Sequence, residues 1–326
     1  MDLKRSYRED LKLFESRAHL VAFGVLIVTL TILPFAIQDF YLYMISLIAT
    51  NVIVAIGLNI LVGYTGQISL GHAGFFAIGA YAQALLVTKA GLPFPLALPV
   101  AGFASAWFGV LLALPALRLS GPYLAIATLG FGMAVTQIIG HSEFFGGRTG
   151  IQVPRPEFLG DVLTDDQRMY IVIVPITVVL TIAAHNLMRS RVGRAMVAVR
   201  DSDIAAETMG INLVVTKSLS FAVSAFFTGV AGGLMAHLLG FINPDIFNLL
   251  LSIQFLAMVV VGGLGSILGS ILGAILMTLL PQLLSGVKDI PLIVYGAIMV
   301  GIIMLEPLGL RGRWLKIKIY WKKWPF

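Results

Sequence analysis

Apolar residues fill most of the chain in runs of roughly 20, separated by short polar or glycine-rich links. A helix needs about 20 apolar residues to cross a bilayer, so each run predicts one span. The pattern predicts ten, near 19–37, 41–62, 69–88, 93–117, 121–140, 169–188, 217–239, 247–262, 265–285 and 290–306. Two places are irregular: the link Gly262–Gly265 and the segment Ser69–Thr88 are rich in glycine, and either can be a broken or re-entrant element. Two longer polar stretches stand out, 141–168 and 189–216. The predicted architecture is an all-α, polytopic membrane bundle of about ten transmembrane helices, one domain over 1–326.

Composition agrees with that pattern. Hydrophobic residues make up 58% of the 326 and charged residues only 12%, against about 25% charged in soluble domains. A soluble fold of this size has too little interior for so many apolar side chains, whereas a bilayer solvates the outer face as well. There is no cysteine, hence no disulfide or thiolate site. The histidines (His19, His72, His141, His185, His237) lack metal-ligand spacing. The net charge of +6 flanks apolar runs and so points to membrane topology rather than nucleic acid. Asp2, Glu9, Asp10 and Glu15 precede the first run and no small-x-small cleavage site follows it, so that run is expected to be a retained span.

With the N-terminus inside and ten spans, all but five of the 22 Lys and Arg residues fall inside; the exceptions are Lys89, Arg148, Arg155, Arg168 and Lys288. That asymmetry predicts both termini in the cytoplasm. No Asp, Glu, Lys or Arg falls mid-span. Ion- and proton-coupled carriers usually place a charge there, so the energy is expected to come from elsewhere. The chain also lacks G-x-x-x-x-G-K-[ST], and indeed any Gly-Lys pair. A phosphate-binding loop needs that lysine, so no P-loop ATP chemistry is expected on this chain.

The inside stretch 189–216 opens with Arg189, Arg191, Arg194 and Arg200, followed by Asp201-Ser202-Asp203. Asp201 or Ser202 can cap a helix start. Glu207 lies one turn after Asp203, and Gly210 is a natural stop. The prediction is a helix over about 203–209, too short to stand alone. It reads either as an ordinary basic loop or as a docking element. The outside stretch 141–168 mixes Arg148, Arg155 and Arg168 with Glu157, Asp161, Asp165 and Asp166, and reads as a cap on the spans or as a dock for a binding protein.

Within the spans the polar side chains are few. Thr65, Gln67, Ser69 and His72 cluster beside glycines, and Thr128 lies in a later span. Such groups face either a partner helix or a watery passage. Ser69 and His72 are three apart, a spacing that predicts poor geometry for a serine nucleophile with its base. Gly265, Gly269 and Gly273 repeat every four residues and predict a close-packed helix face, as do Gly71, Gly74 and Gly79. That packing is either within the chain or along a seam with a second chain.

Several blocks resemble a known family. Asn59–Tyr81 (NILVGYTGQISLGHAGFFAIGAY), GPYLAIATLGFG (Gly121–Gly132), GRAMVAVRDSDIAAETMGIN (Gly193–Asn212) and VVVGGLGSILGSILGA (Val259–Ala274) are similar to signatures of the LivM/LivH permeases. Gly146–Ile151 resembles the family's T-G-G-x-x-G-L segment, with Phe145 in the place of Thr and Ile151 in the place of Leu. The blocks run in order from about 45 to 305, and their spacing looks more like LivM than LivH. The resemblance implies a permease subunit of an ATP-driven importer of branched-chain amino acids, or of another small solute such as urea, an amide or a different neutral amino acid. It implies a second, LivH-like permease, two ATPase subunits that carry ATP and Mg, and an extracytoplasmic solute-binding protein. It implies the cytoplasmic (inner) membrane of a bacterium or archaeon, and no catalytic, metal or cofactor site on this chain. It further implies that Arg194, Arg200, Asp201, Asp203, Glu207 and Gly210 belong to the element that couples the permease to an ATPase.

Overall fold

The computed structural model describes residues 29–119, 121–156 and 163–283, with 296–297, 300–301, 304 and 309–312. Most of the spans predicted at 19–37 and 290–306, both termini, and Glu157 and Asp161 lie outside the described residues. Residues 29–36 are helical. Ten helices then follow in order. They are α1 (Asp39–Thr65), α2 (His72–Thr88), α3 (Phe94–Ala116), α4 (Pro122–His141), α5 (Asp165–Arg189), α6 (Arg191–Asp201), α7 (Asp203–Thr208), α8 (Leu213–Leu239), α9 (Leu249–Gly262) and α10 (Ile267–Leu283). Five of these, α1, α3, α4, α5 and α8, are long and apolar enough to cross a membrane.

Among the described residues the predicted runs become helices, with corrections at their ends. The helix predicted from 69 starts at His72, leaving 66–71 non-helical. The span predicted at 265–285 begins at Ile267, and Gly265 lies before it at φ +69. The expected shared face of Gly265, Gly269 and Gly273 therefore fails at its first member: Gly265 is a turn residue. Helix α9 has 14 residues, about 21 Å at 1.5 Å per residue, short of a hydrocarbon core of about 30 Å. Helices α5 and α8 begin earlier than their apolar runs because polar caps extend them. Thr164 Oγ1 accepts the Gln167 N–H while Gln167 Oε1 accepts the Thr164 N–H, a reciprocal capping box, and Asn212 caps α8.

Helices α1 and α8 form the centre, with α2, α3, α5 and α10 packed around them. In lipid the approach of backbones, rather than expulsion of water, holds helices together. Gly79 of α2 lies against the backbone of Gly229 in α8, and Gly229 in turn lies against Ser105 of α3. Gly74 approaches Gly132 of α4, and Gly269 and Gly273 approach Gly262 of α9. The seams described at these glycines lie within this chain. Between the glycines sit large enclosed side chains, among them Tyr81, Phe75, Phe76, Phe221 and Phe255.

Arg189, Arg191, Arg194, Arg200 and Arg311 gather at one end of the bundle, the basic end. At the opposite end, the strand pairing among the described residues is a short two-stranded antiparallel pair. Ile151 pairs with Ile242 and Gln152 with Phe241, tying the segment after α4 to the segment after α8. Arg155 fastens the same region: its Nη2 donates to Leu238 O and its Nη1 lies 3.2 Å from Asp165.

Candidate functional site

The site grows from the break between α1 and α2. Gly66 ends α1 at φ +74, a conformation that costs glycine nothing. Its N–H returns to Val62 O, and the Gln67 N–H returns to Leu61 O. The following backbone, 67–71, is not helical and needs partners, because non-helical chain at membrane depth is stable only inside protein or beside water. Hydroxyl groups from neighbouring helices supply them. The Leu70 N–H donates to Thr128 Oγ1 of α4 at 3.0 Å, and the Ala73 N–H donates to Ser252 Oγ of α9 at 3.0 Å. Gly71 lies against the carbonyl of Thr128, so no side chain fits there.

His72 opens α2 and is fully enclosed. Its Nδ1 lies 2.9 Å from Ser69 Oγ and its Nε2 lies 2.8 Å from Ser224 Oγ of α8. The Ser69–His72 distance corrects the expectation of poor geometry. Because 69–71 are not helical, the two side chains meet. Both imidazole nitrogens are occupied by hydroxyls, and among the described residues no carboxylate bonds to the ring. The arrangement joins the broken strand to α8; it does not assemble an acid–base relay.

The structure thus brings Ser69, His72 and Thr128 together around the break. Thr65 instead bonds back to Ile60 O in its own helix. Gln67 is 6% exposed and its Nε2 has no partner among the described residues. A narrow cleft opens beside the break between α2, α4 and the start of α9. It is lined by Leu70, Ala73, Gly132, Thr136, Asn248 and Ser252, among others. Ser224 and Ser252 were not legible in the sequence: single serines in apolar helices carry no pattern.

Toward the opposite end, a second buried group links the loops to the bundle. His237 Nδ1 lies 2.7 Å from Pro154 O, a pure acceptor, so Nδ1 carries the proton. In the neutral ring Nε2 then accepts from Gln83 Nε2 at 3.0 Å.

At the basic end, Asn59 of α1 is almost wholly buried. Its Nδ2 donates to Ser266 O at 2.9 Å and Ser270 Oγ at 2.6 Å, and its Oδ1 accepts the Gly265 N–H at 2.9 Å. These bonds clamp the α9–α10 turn onto α1. The stretch 189–216 is more helical than its sequence suggested. Ser190 caps α6 by accepting from the Val192 and Gly193 N–H groups. Gly193, Met196 and Val199 are buried on the inner face of α6.

Helix α7 lies within the predicted 203–209, and its cap is Ser202, whose side chain accepts the Ala205 N–H at 3.2 Å. Asp203 pairs with Lys217 of α8 at 2.7 Å. Gly210 has φ +83 and ends the turn. Only Ala206 of α7 is buried; Asp203, Ile204, Glu207 and Met209 are exposed, Ile204 at 78% and Met209 at 83%. Arg194 is exposed and donates to Arg189 O. Arg200 is also exposed, but its side chain reaches back to the end of α1: its Nη1 donates to Gly63 O at 3.1 Å, while Nε and Nη2 hold Asp201 Oδ1.

Comparison with known proteins adds an independent line. Residues 40–305 match the family described as "Branched-chain amino acid transport system / permease component". The chain is 35% identical over 284 residues to the high-affinity branched-chain amino acid transport system permease protein LivM of Salmonella typhimurium, covering 79% of this chain and 67% of that protein. It is 35% identical over 302 residues to LivM of Escherichia coli, covering 85% and 71%. It is 27% identical over 294 residues to the probable permease LivH of Methanocaldococcus jannaschii, covering 84% and 93%. No solved structure matches.

Proposed function

The chain belongs to the branched-chain amino acid transport permease family, and from that premise we propose that it is the LivM-type membrane subunit of an ATP-driven importer of branched-chain amino acids. In this reading it pairs with a LivH-like permease in a cytoplasmic membrane. It receives solute from an extracytoplasmic binding protein and is driven by two ATPase subunits. The basic end faces the cytoplasm, as the positive-inside rule requires. The break at 66–71 and its cleft border the passage.

One observation carries the coupling. Helix α7 and the residue that follows it present two large apolar side chains, Ile204 and Met209, to solvent beside Asp203 and Glu207. A six-residue helix held by one buried alanine has little internal reason to display them; exposed apolar anchors with a charged rim suit a protein partner. Docking of α7 on an ATPase would turn nucleotide-driven closure into rigid-body movement of the spans.

The test is purification of the intact complex, identification of its chains, and ATP-dependent uptake of labelled leucine in liposomes. Leucine in excess should abolish the signal. Competition by urea or alanine but not by leucine would reassign the permease to another small solute. Ile204→Asp and Met209→Asp should remove the ATPase chains from the complex; full retention of those chains would refute the docking role.

A further inference from the structure

The residue that meets the helix break from the basic end is Arg200. Where α1 stops, Gly63 loses its ordinary partner: the Gln67 N–H, four residues on, goes to Leu61 O instead. Arg200 Nη1 takes the vacant place at Gly63 O, 3.1 Å away. A cation there also faces the negative end of the α1 dipole. The contact extends beyond one bond. A Cβ built on Gly66 would lie 3.1 Å from Arg200 Cγ and 3.5 Å from its Cα, so Arg200 packs beside Gly66 with little room for a side chain between them. A Cβ on Gly265 would lie 3.1 Å from the same Nη1, which places the α9–α10 turn against the guanidinium as well. Asp201 holds the other edge of the group through Nε and Nη2. Three pieces of chain therefore converge on one side chain. They are the end of α1, the turn before α10, and the helix pair α6–α7, whose connection is the single residue Ser202.

We propose that Arg200 is a positioning residue that transmits displacement of α7 to the 66–71 break, by capping the broken end of α1 from the last turn of α6. The inference rests on the docking of α7 described above and goes beyond it. Arg200 is assigned no contact with the ATPase; its partner is the Gly63 carbonyl of its own chain. Moving α7 moves Ser202 and Arg200. Arg200 carries Gly63 and Gly66 with it, and the displaced strand carries Leu70, Gly71 and His72 relative to Thr128 and Ser224.

The experiment measures leucine transported per ATP hydrolysed by the purified, liposome-embedded complex, beside the ratio of ATPase to permease chains in the same sample. Arg200→Ala should leave the chain ratio as in the parent and lower leucine per ATP about tenfold, the worth of one hydrogen bond to a charged group. Arg200→Lys keeps the charge and one donor but cannot hold Gly63 O and Asp201 together. It should recover part of the loss, which a purely structural filler would not do. Unchanged leucine per ATP in both variants overturns the proposal. So does a deficit fully explained by missing ATPase chains, or one that lysine leaves as deep as alanine. Retention of the ATPase chains by Ile204→Asp and Met209→Asp would instead remove the docking premise, and this proposal with it.

Discussion

Replacing Asn59 by alanine should cost much more than any other single polar deletion on the α1–α10 interface. Asn59 makes three bonds of 2.9 Å or less, to Ser266 O, Ser270 Oγ and the Gly265 N–H. Asn51, eight residues earlier on α1, makes one, to Thr278 Oγ1 at 2.9 Å. Hydrogen bonds between membrane helices average about 0.6 kcal/mol, so three give about 2 kcal/mol. A buried backbone group left without a partner adds about 1–3 kcal/mol. The expected destabilisation is therefore about 3–5 kcal/mol for Asn59→Ala, against roughly 0.6 kcal/mol for Asn51→Ala. Equilibrium unfolding by SDS titration in mixed micelles measures both. Asn59→Asp should be worse still, because it sets a second acceptor against Ser266 O. If Asn59→Ala falls within about 0.5 kcal/mol of Asn51→Ala, the usual tolerance of such comparisons, the clamp is not what holds the turn.

Three further outcomes follow from the same geometry. His72→Phe keeps the ring volume but strands Ser69 and Ser224; leucine uptake per folded copy should drop about tenfold, and uptake at the parent rate would remove His72 from the passage. Gly79→Val sets a branched side chain against the Gly229 backbone and should cost about 1–3 kcal/mol as overpacking, read as loss of folded protein on size-exclusion chromatography. Thr164→Ala removes the hydroxyl that accepts the Gln167 N–H, leaving only the backbone half of the α5 capping box, and should cost about 1 kcal/mol, seen as lower thermal stability with transport per folded copy unchanged.

The sequence foretold some parts of this fold and concealed others, for physical reasons. Apolar runs of bilayer length need no tertiary information, so α1, α3, α4, α5 and α8 were legible. The α7 turn was legible because Asp-Ser-Asp and Gly210 fix both its ends. Helix α6 was hidden by its own charges. Val192, Met196 and Val199 do recur at helical spacing, but three arginines within the same 11 residues make it read as loop. Gly265 was misplaced because a four-residue glycine repeat looks the same whether its first member is in a helix or in the turn before it; the positive φ decides, and sequence does not carry φ. Arg200 was grouped with the other arginines of the inside stretch and with the coupling element. Its reach to an orphaned carbonyl in α1, 137 positions away in sequence, is something no local pattern reveals. The break itself was visible as glycine enrichment, while the serines that hold it were not.

The Asn59 clamp also sets a timetable for synthesis. Its partners lie more than 200 residues further along the chain. At ribosomal rates of about 5–20 residues per second, they emerge roughly ten to forty seconds after Asn59. Through that interval the amide has no protein partner of its own. It sits six residues before the end of α1, about 9 Å along the helix axis, close enough to the basic end to stay hydrated while it waits. Nascent chains that stop short of Gly263 should therefore hold α1 nearer the water, and chains that pass Ser270 should draw it in. A late helical hairpin, α9 with α10, would then fix the depth of one of the early helices.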